Sequence, residues 1–140
     1  MGRSGYSEVD DNWALIRWRG CVASAIRGAR GQKLLRELAA ALDAMPEKRL
    51  VAGALQDGGD YCALGVVGAA RGVDLDPIDS TDQEAVAAAF DIARPLAAEI
   101  AFENDEGGSW HGETPEDRWS RMRAWVASKL VSDLKGKVHA

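Results

Sequence analysis

Histidine and cysteine are scarce in this chain of 140 residues, with two of each, four prolines and nine aromatic residues. Cys21 and Cys62 are too few for a zinc site of about four ligands or for a disulfide framework, so a reduced compartment is expected. The longest uncharged run, Tyr61 to Ala70, is ten residues, where a membrane-spanning helix needs about 20. No apolar core stands within residues 1–13, and no secretory leader is expected. Phosphate-loop and common catalytic signatures are also missing. Gly65-Val66-Val67-Gly68 lacks the third glycine and the Lys-Ser/Thr that would follow, and Gly-x-Ser-x-Gly, His-Glu-x-x-His and Cys-x-x-Cys do not occur. These absences argue against a common enzyme class, and no cofactor or metal is expected.

What the chain does have is a segregated charge. The net value is −5. Residues 14–50 carry eight bases against three acids, and residues 119–140 five bases against Asp133. Residues 51–118 carry fifteen acids against Arg71, Arg94 and Arg118. Packed side by side, such segments neutralise one another; on separate faces, they steer charged partners.

Hydropathy periodicity predicts a predominantly helical α+β domain of about five helices and one small antiparallel hairpin. Residues 1–11 read as a tail, 12–136 as one globular domain and 137–140 as a second tail. Trp13, Ile16, Gly20 and Ala23, with Trp18 and Cys21 beside them, mark a buried stripe on a helix over 12–27. Gly28 and Gly31 interrupt it. Leu34, Leu35, Leu38, Ala41, Leu42 and Met45 form the apolar stripe of a second helix over 32–45, stopped by Pro46. Residues 49–64 give a hairpin signal around Gly58-Gly59, and 64–71 a short glycine-containing helix ending at Gly72. Thr81 and Glu84 suggest a capping box for a helix to Phe90. Asp91 is placed as the cap of the next helix, and 104–112 as a glycine loop. Thr114, Pro115, Glu116 and Asp117 open a last helix, ending at Gly136, with Trp119, Met122, Val126 and Leu130 buried.

Four constellations could carry chemistry. Cys62 follows Gly58-Gly59-Asp60-Tyr61 and opens a helix, where the helix dipole lowers a thiol pKa. With His111 and Asn104 or Asp105 it would form a papain-like set; as a buried small hydrophobe it needs none of them. Asp74, Asp76, Asp79 and Asp82 alternate as in a calcium loop but lack its central glycine and terminal glutamate. Arg27, Arg30, Lys33 and Arg36 lie three apart around a glycine turn between two helices, in outline a helix-turn-helix holding phosphates. Trp110, in a glycine loop beside Asp105 and Glu106, suits an interface anchor.

Three segments carry a family resemblance: Arg17-Trp18-Arg19-Gly20 through Ala52, Tyr61 to Gly72, and Phe102 to Glu106 followed by Glu113 to Val126. Together they resemble a family of small proteins of tailed bacteriophages and prophages. The resemblance implies an accessory protein made in the cytoplasm of a bacterial host. It brings no functional residue with it. The expectation is therefore a non-enzymatic protein that binds and inhibits a bacterial protein or ribonucleoprotein complex, as an anti-CRISPR or nucleic-acid mimic does. Its acidic surface would comprise Asp74, Asp76, Asp79, Asp105, Glu106 and Trp110. Nucleic-acid binding through Arg27, Arg30, Lys33 and Arg36 is the alternative, and a cysteine-dependent enzyme centred on Cys62 the third reading.

Overall fold

The computed structural model describes residues 3–4, 12–108 and 112–131. Its elements run α1 (Asn12–Arg27), α2 (Ala29–Ala44), β1 (Gln56–Asp57), β2 (Asp60–Tyr61), α3 (Ala63–Arg71), α4 (Gln83–Phe90), α5 (Arg94–Glu106) and α6 (Pro115–Lys129). This is the predominantly helical α+β domain that the periodicity predicts, with six helices among the described residues.

α2 is the centre of the packing. Leu34, Leu35, Leu38 and Leu42 are buried on it, and it packs against both α3 and α6. Full burial of each such side chain is worth about 1.5–3 kcal/mol. The helix begins three residues before the expected Gln32, because its glycines close a corner instead of opening a loop. Only Gly28 separates α1 from α2, with extended backbone (φ −68°, ψ 163°). Gly31 is buried one turn on, and a Cβ there would overlap the Ala25 carbonyl oxygen. Absence of a side chain lets α2 start against the end of α1.

α1 corrects a second expectation. Its buried residues are Val22 and Ile26, with Trp18 and Ala25 packed beside them; α1 touches α5 and α2. The Trp13-Ile16-Gly20 stripe faces solvent instead: Trp13 is 69% exposed and Ile16 59%, and Gly20 and Cys21 are exposed too. The sequence offers two apolar stripes on this helix, and the domain covers the other one.

The hairpin is smaller than expected, pairing Gln56 with Tyr61 and Asp57 with Asp60. Gly58 and Gly59 turn it at φ 58° and 89°. α4 is capped by Asp82, whose carboxylate accepts from the Ala85 N–H, and not by Thr81. Asp91 ends α4 in the left-handed region (φ 55°) and does not start α5, whose N-cap is Ala93. α5 continues through Asn104, Asp105 and Glu106, which the glycines downstream had suggested were loop. Thr114 caps α6 as expected, accepting from the Asp117 N–H, but α6 stops at Lys129. Among the described residues, no helix is long and apolar enough to cross a membrane.

Two glycines in neighbouring helices should respond oppositely to alanine. Gly31→Ala is expected to destabilise by at least about 2 kcal/mol through backbone overlap. Gly20→Ala meets nothing within 4 Å and should stabilise by about 0.5–1 kcal/mol from helix propensity. Urea midpoints of the two variants check this, and Leu38→Ala should cost about 2–5 kcal/mol on the same scale.

Candidate functional site

Several residues singled out in the sequence meet at the C-terminal turn of α5. Asn104 is completely buried. Its Oδ1 accepts from the Ala63 N–H at 3.0 Å, and its Nδ2 donates to the Val51 carbonyl and to Asp105 Oδ1, both at 2.9 Å. The Asn104 carbonyl accepts from Arg118 Nε (3.1 Å) and Arg121 Nη2 (3.2 Å) on α6. Arg121 also grips Glu113 with two bonds, at 2.7 and 2.9 Å. One asparagine thus ties α5 to the start of α3, to residue 51 and to α6.

Asp105, expected as a surface contact, is an internal tie. Its side chain is 11% exposed and that of Arg3 4%, and the two form a bidentate pair at 2.7 and 3.0 Å. The Gly53 N–H also donates to Asp105 Oδ1 at 3.0 Å. Burial would raise the Asp105 pKa, but the Arg3 bond and charge, with Gly53 and Asn104, hold it below the ordinary carboxylate value. Burial would likewise lower the Arg3 pKa, and Cys62 and Asp105 outweigh it. Glu113 is held low by its bond to Arg121. Glu103 is pushed up by burial and by Glu99, against Arg121.

Cys62 lies at the edge of this knot as the N-cap of α3. Its Sγ accepts from the Gly65 N–H at 3.4 Å, and it is buried. Asn104 and Asp105 are its neighbours, as a papain-like set would need. However, the asparagine amide is spent on Ala63 and Val51, and no imidazole stands among the described residues. His111 and Trp110 both lie outside them. The thiol has a structural role here as a helix cap.

The acidic residues of 74–84 are exposed, but most shape their own loop. Asp74 accepts from the Asp76 N–H, Asp79 from the Thr81 N–H and hydroxyl, and Asp82 caps α4. Asp76 accepts from Gln56 Nε2. Among the described residues, no three His, Cys, Asp or Glu side chains converge as a metal site. Glu106 is exposed and accepts from the Ser4 hydroxyl at 3.4 Å.

The basic strip is placed differently. Residues 12–36 contain six bases and no acid, and Arg17, Arg19, Arg27, Arg30, Lys33 and Arg36 are all exposed. Only Arg30 has an ion pair among the described residues, with exposed Asp91 at 3.3 Å. Elsewhere Arg3, Arg49, Arg71, Arg118, Arg121 and Arg123 all pair with carboxylates. An open cleft of about 900 Å³ runs beside the strip, lined by Arg17, Arg30, Gly20, Ser24, Ala29 and Pro95 among others. α2 buries its leucine face against α3 and α6 and presents Arg30, Lys33, Arg36, Ala40 and Asp43 to solvent. Sequence reasoning missed the part played by Trp13 and Ile16, which extend the basic face with exposed apolar surface.

No protein-family model, curated protein or solved structure matches this chain. The site's chemistry therefore has to be read from its own residues.

Asn104→Asp is expected to destabilise by about 2–4 kcal/mol. It removes the donor to the half-buried Val51 carbonyl and sets a second carboxylate beside Asp105. Acid should do the same more gradually. Asp105 and Glu113 have depressed values in the fold, so their stabilisation is complete above about pH 4 and is lost as pH falls through the lower folded values. Melting temperature should drop below about pH 4, and Asp105→Asn should flatten that drop; an unchanged profile would show that the pair contributes nothing.

Proposed function

We propose that this is a non-enzymatic binding protein that holds single-stranded nucleic acid, free or within a bacterial nucleoprotein complex, on the exposed face of α1 and the start of α2. One observation carries the reading. Arg17, Arg19, Arg27, Lys33 and Arg36 are exposed and form no ion pair among the described residues, on a face that also presents Trp13. Unpaired cations supply the sequence-independent attraction to phosphates, and an exposed indole supplies a stacking platform worth about 1–3 kcal/mol per base. The cleft beside the strip gives a backbone room to run. The net charge of −5 does not oppose this strongly, because screening at physiological salt confines each charge to about 8 Å.

A second reading is the blocking of a host or defence complex by an acidic surface, in the manner of an anti-CRISPR from a phage. It is favoured by residues 72–93, which hold six acids and no base. It has less support, since Asp105 is internal and Asp74, Asp79 and Asp82 already hold their own loop. Both readings make the protein a binder, not a catalyst.

Fluorescence anisotropy with labelled oligonucleotides tests the first. With about four phosphate contacts, affinity for a single strand should fall roughly 50-fold between 50 and 200 mM salt. Replacing Arg17, Arg27, Lys33 and Arg36 by Ala should abolish binding. Trp13→Ala should weaken it about tenfold with an unchanged salt slope. Absence of binding at 50 mM salt would overturn the proposal in favour of a protein partner.

A further inference from the structure

Residues Arg3 and Ser4 sit in the domain as a ligand sits in a pocket. They belong to no helix or strand, so no backbone ladder holds them, and the side chains of Gln83, Asp105 and Glu106 hold them by hydrogen bonds. The Arg3 guanidinium meets Asp105 fork to fork, with both side chains buried. Gln83 Nε2 donates to the Arg3 carbonyl at 3.1 Å and also to the Ser4 carbonyl. Ser4 is buried and reaches Glu106. Leu64, Val86, Ala97 and Ala101 line the cavity beside Arg3.

The receiving carboxylate is held by groups other than the arginine. Asp105 Oδ1 is fixed by the Gly53 N–H and the Asn104 amide, both part of the domain's own scaffold. A carboxylate aimed by two donors is preorganised for a planar, bidentate cation. Lysine has no such fork and would satisfy only one oxygen. Gln83 reads the peptide backbone through the carbonyls of both residues.

We propose that the cleft between the N-terminus of α3, α4 and the last turn of α5 is a recognition site for an arginine-bearing peptide segment, occupied here by the chain's own Arg3-Ser4. The tethered segment competes at an effective concentration on the order of millimolar. A free peptide therefore gains the site only when the internal occupant is weakened. Cys62, buried at the same place, reports on whether the site is filled.

The test uses the 140-residue chain with Cys21→Ser, leaving one thiol, and a fluorescein-labelled Gly-Arg-Ser-Gly peptide. Arg3→Ala should bind the peptide at least tenfold more tightly than wild type. Asp105→Asn in that background should abolish the binding, and a Gly-Lys-Ser-Gly peptide should bind at least tenfold more weakly. Arg3→Lys is the milder arm, kept in case Arg3→Ala does not fold. It should speed iodoacetamide alkylation of Cys62 at least tenfold, and added arginine peptide should slow it again. Peptide binding that is equal in wild type and Arg3→Ala, or indifferent to Asp105→Asn, would overturn the proposal. So would Cys62 protection in Arg3→Lys that matches wild type.

Discussion

The amide of Asn104 is the interaction on which the rest of this domain depends. The first N–H groups of a helix have no partner within it and must find one outside. For α3, whose start is buried, Cys62 answers Gly65 and Asn104 answers Ala63. The same amide reaches Val51, and its backbone carbonyl holds two arginines of α6. A buried polar network of this kind rigidifies a core only when every member is satisfied. In this one, each group of Asn104 named above has a partner.

That network also accounts for the surface. It draws Arg3, Arg118 and Arg121, with Asp105 and Glu113, into internal pairs, and the Asp43–Arg123 and Glu37–Arg71 bridges join α2 to α6 and α3. Much of the acidic middle is consumed in this way or in capping loops. Among the described residues, the bases of α1 and the start of α2 form one such pair, Arg30 with Asp91. The other bases of this strip face solvent, beside exposed Trp13 and Ile16. An exposed apolar stripe edged by cations is a more informative surface than either feature alone.

The sequence made much of the fold legible, and the failures have physical causes. The leucine stripe of α2, the cysteine that opens α3 and the Thr114-Pro115 start of α6 are local signals, and each stands where it was read. Gly31 was misread because a glycine needed for close approach looks like one that breaks a helix. α1 was misread because a helix with two apolar stripes does not say which one the domain covers. Asp91 is an acceptable N-cap in sequence, yet it closes the preceding helix in the left-handed region. Asp105 reads as a surface contact but is internal: its partner, Arg3, is 102 positions away, and nothing local distinguishes a buried carboxylate from a solvated one. The basic strip is legible as charge, but that only Arg30 of it forms an ion pair among the described residues is a property of the folded chain.

Hydrogen exchange at a single amide tests the central claim most directly. Ala63 is the first residue of α3, a position whose N–H would exchange rapidly if it faced solvent or lacked an acceptor. With Asn104 Oδ1 bound to it inside the core, its exchange should require global unfolding, with a protection free energy equal to those of Leu38 and Val67. Protection several kcal/mol below the global value would mean that α3 frays independently of α5, and that Asn104 does not hold the domain together.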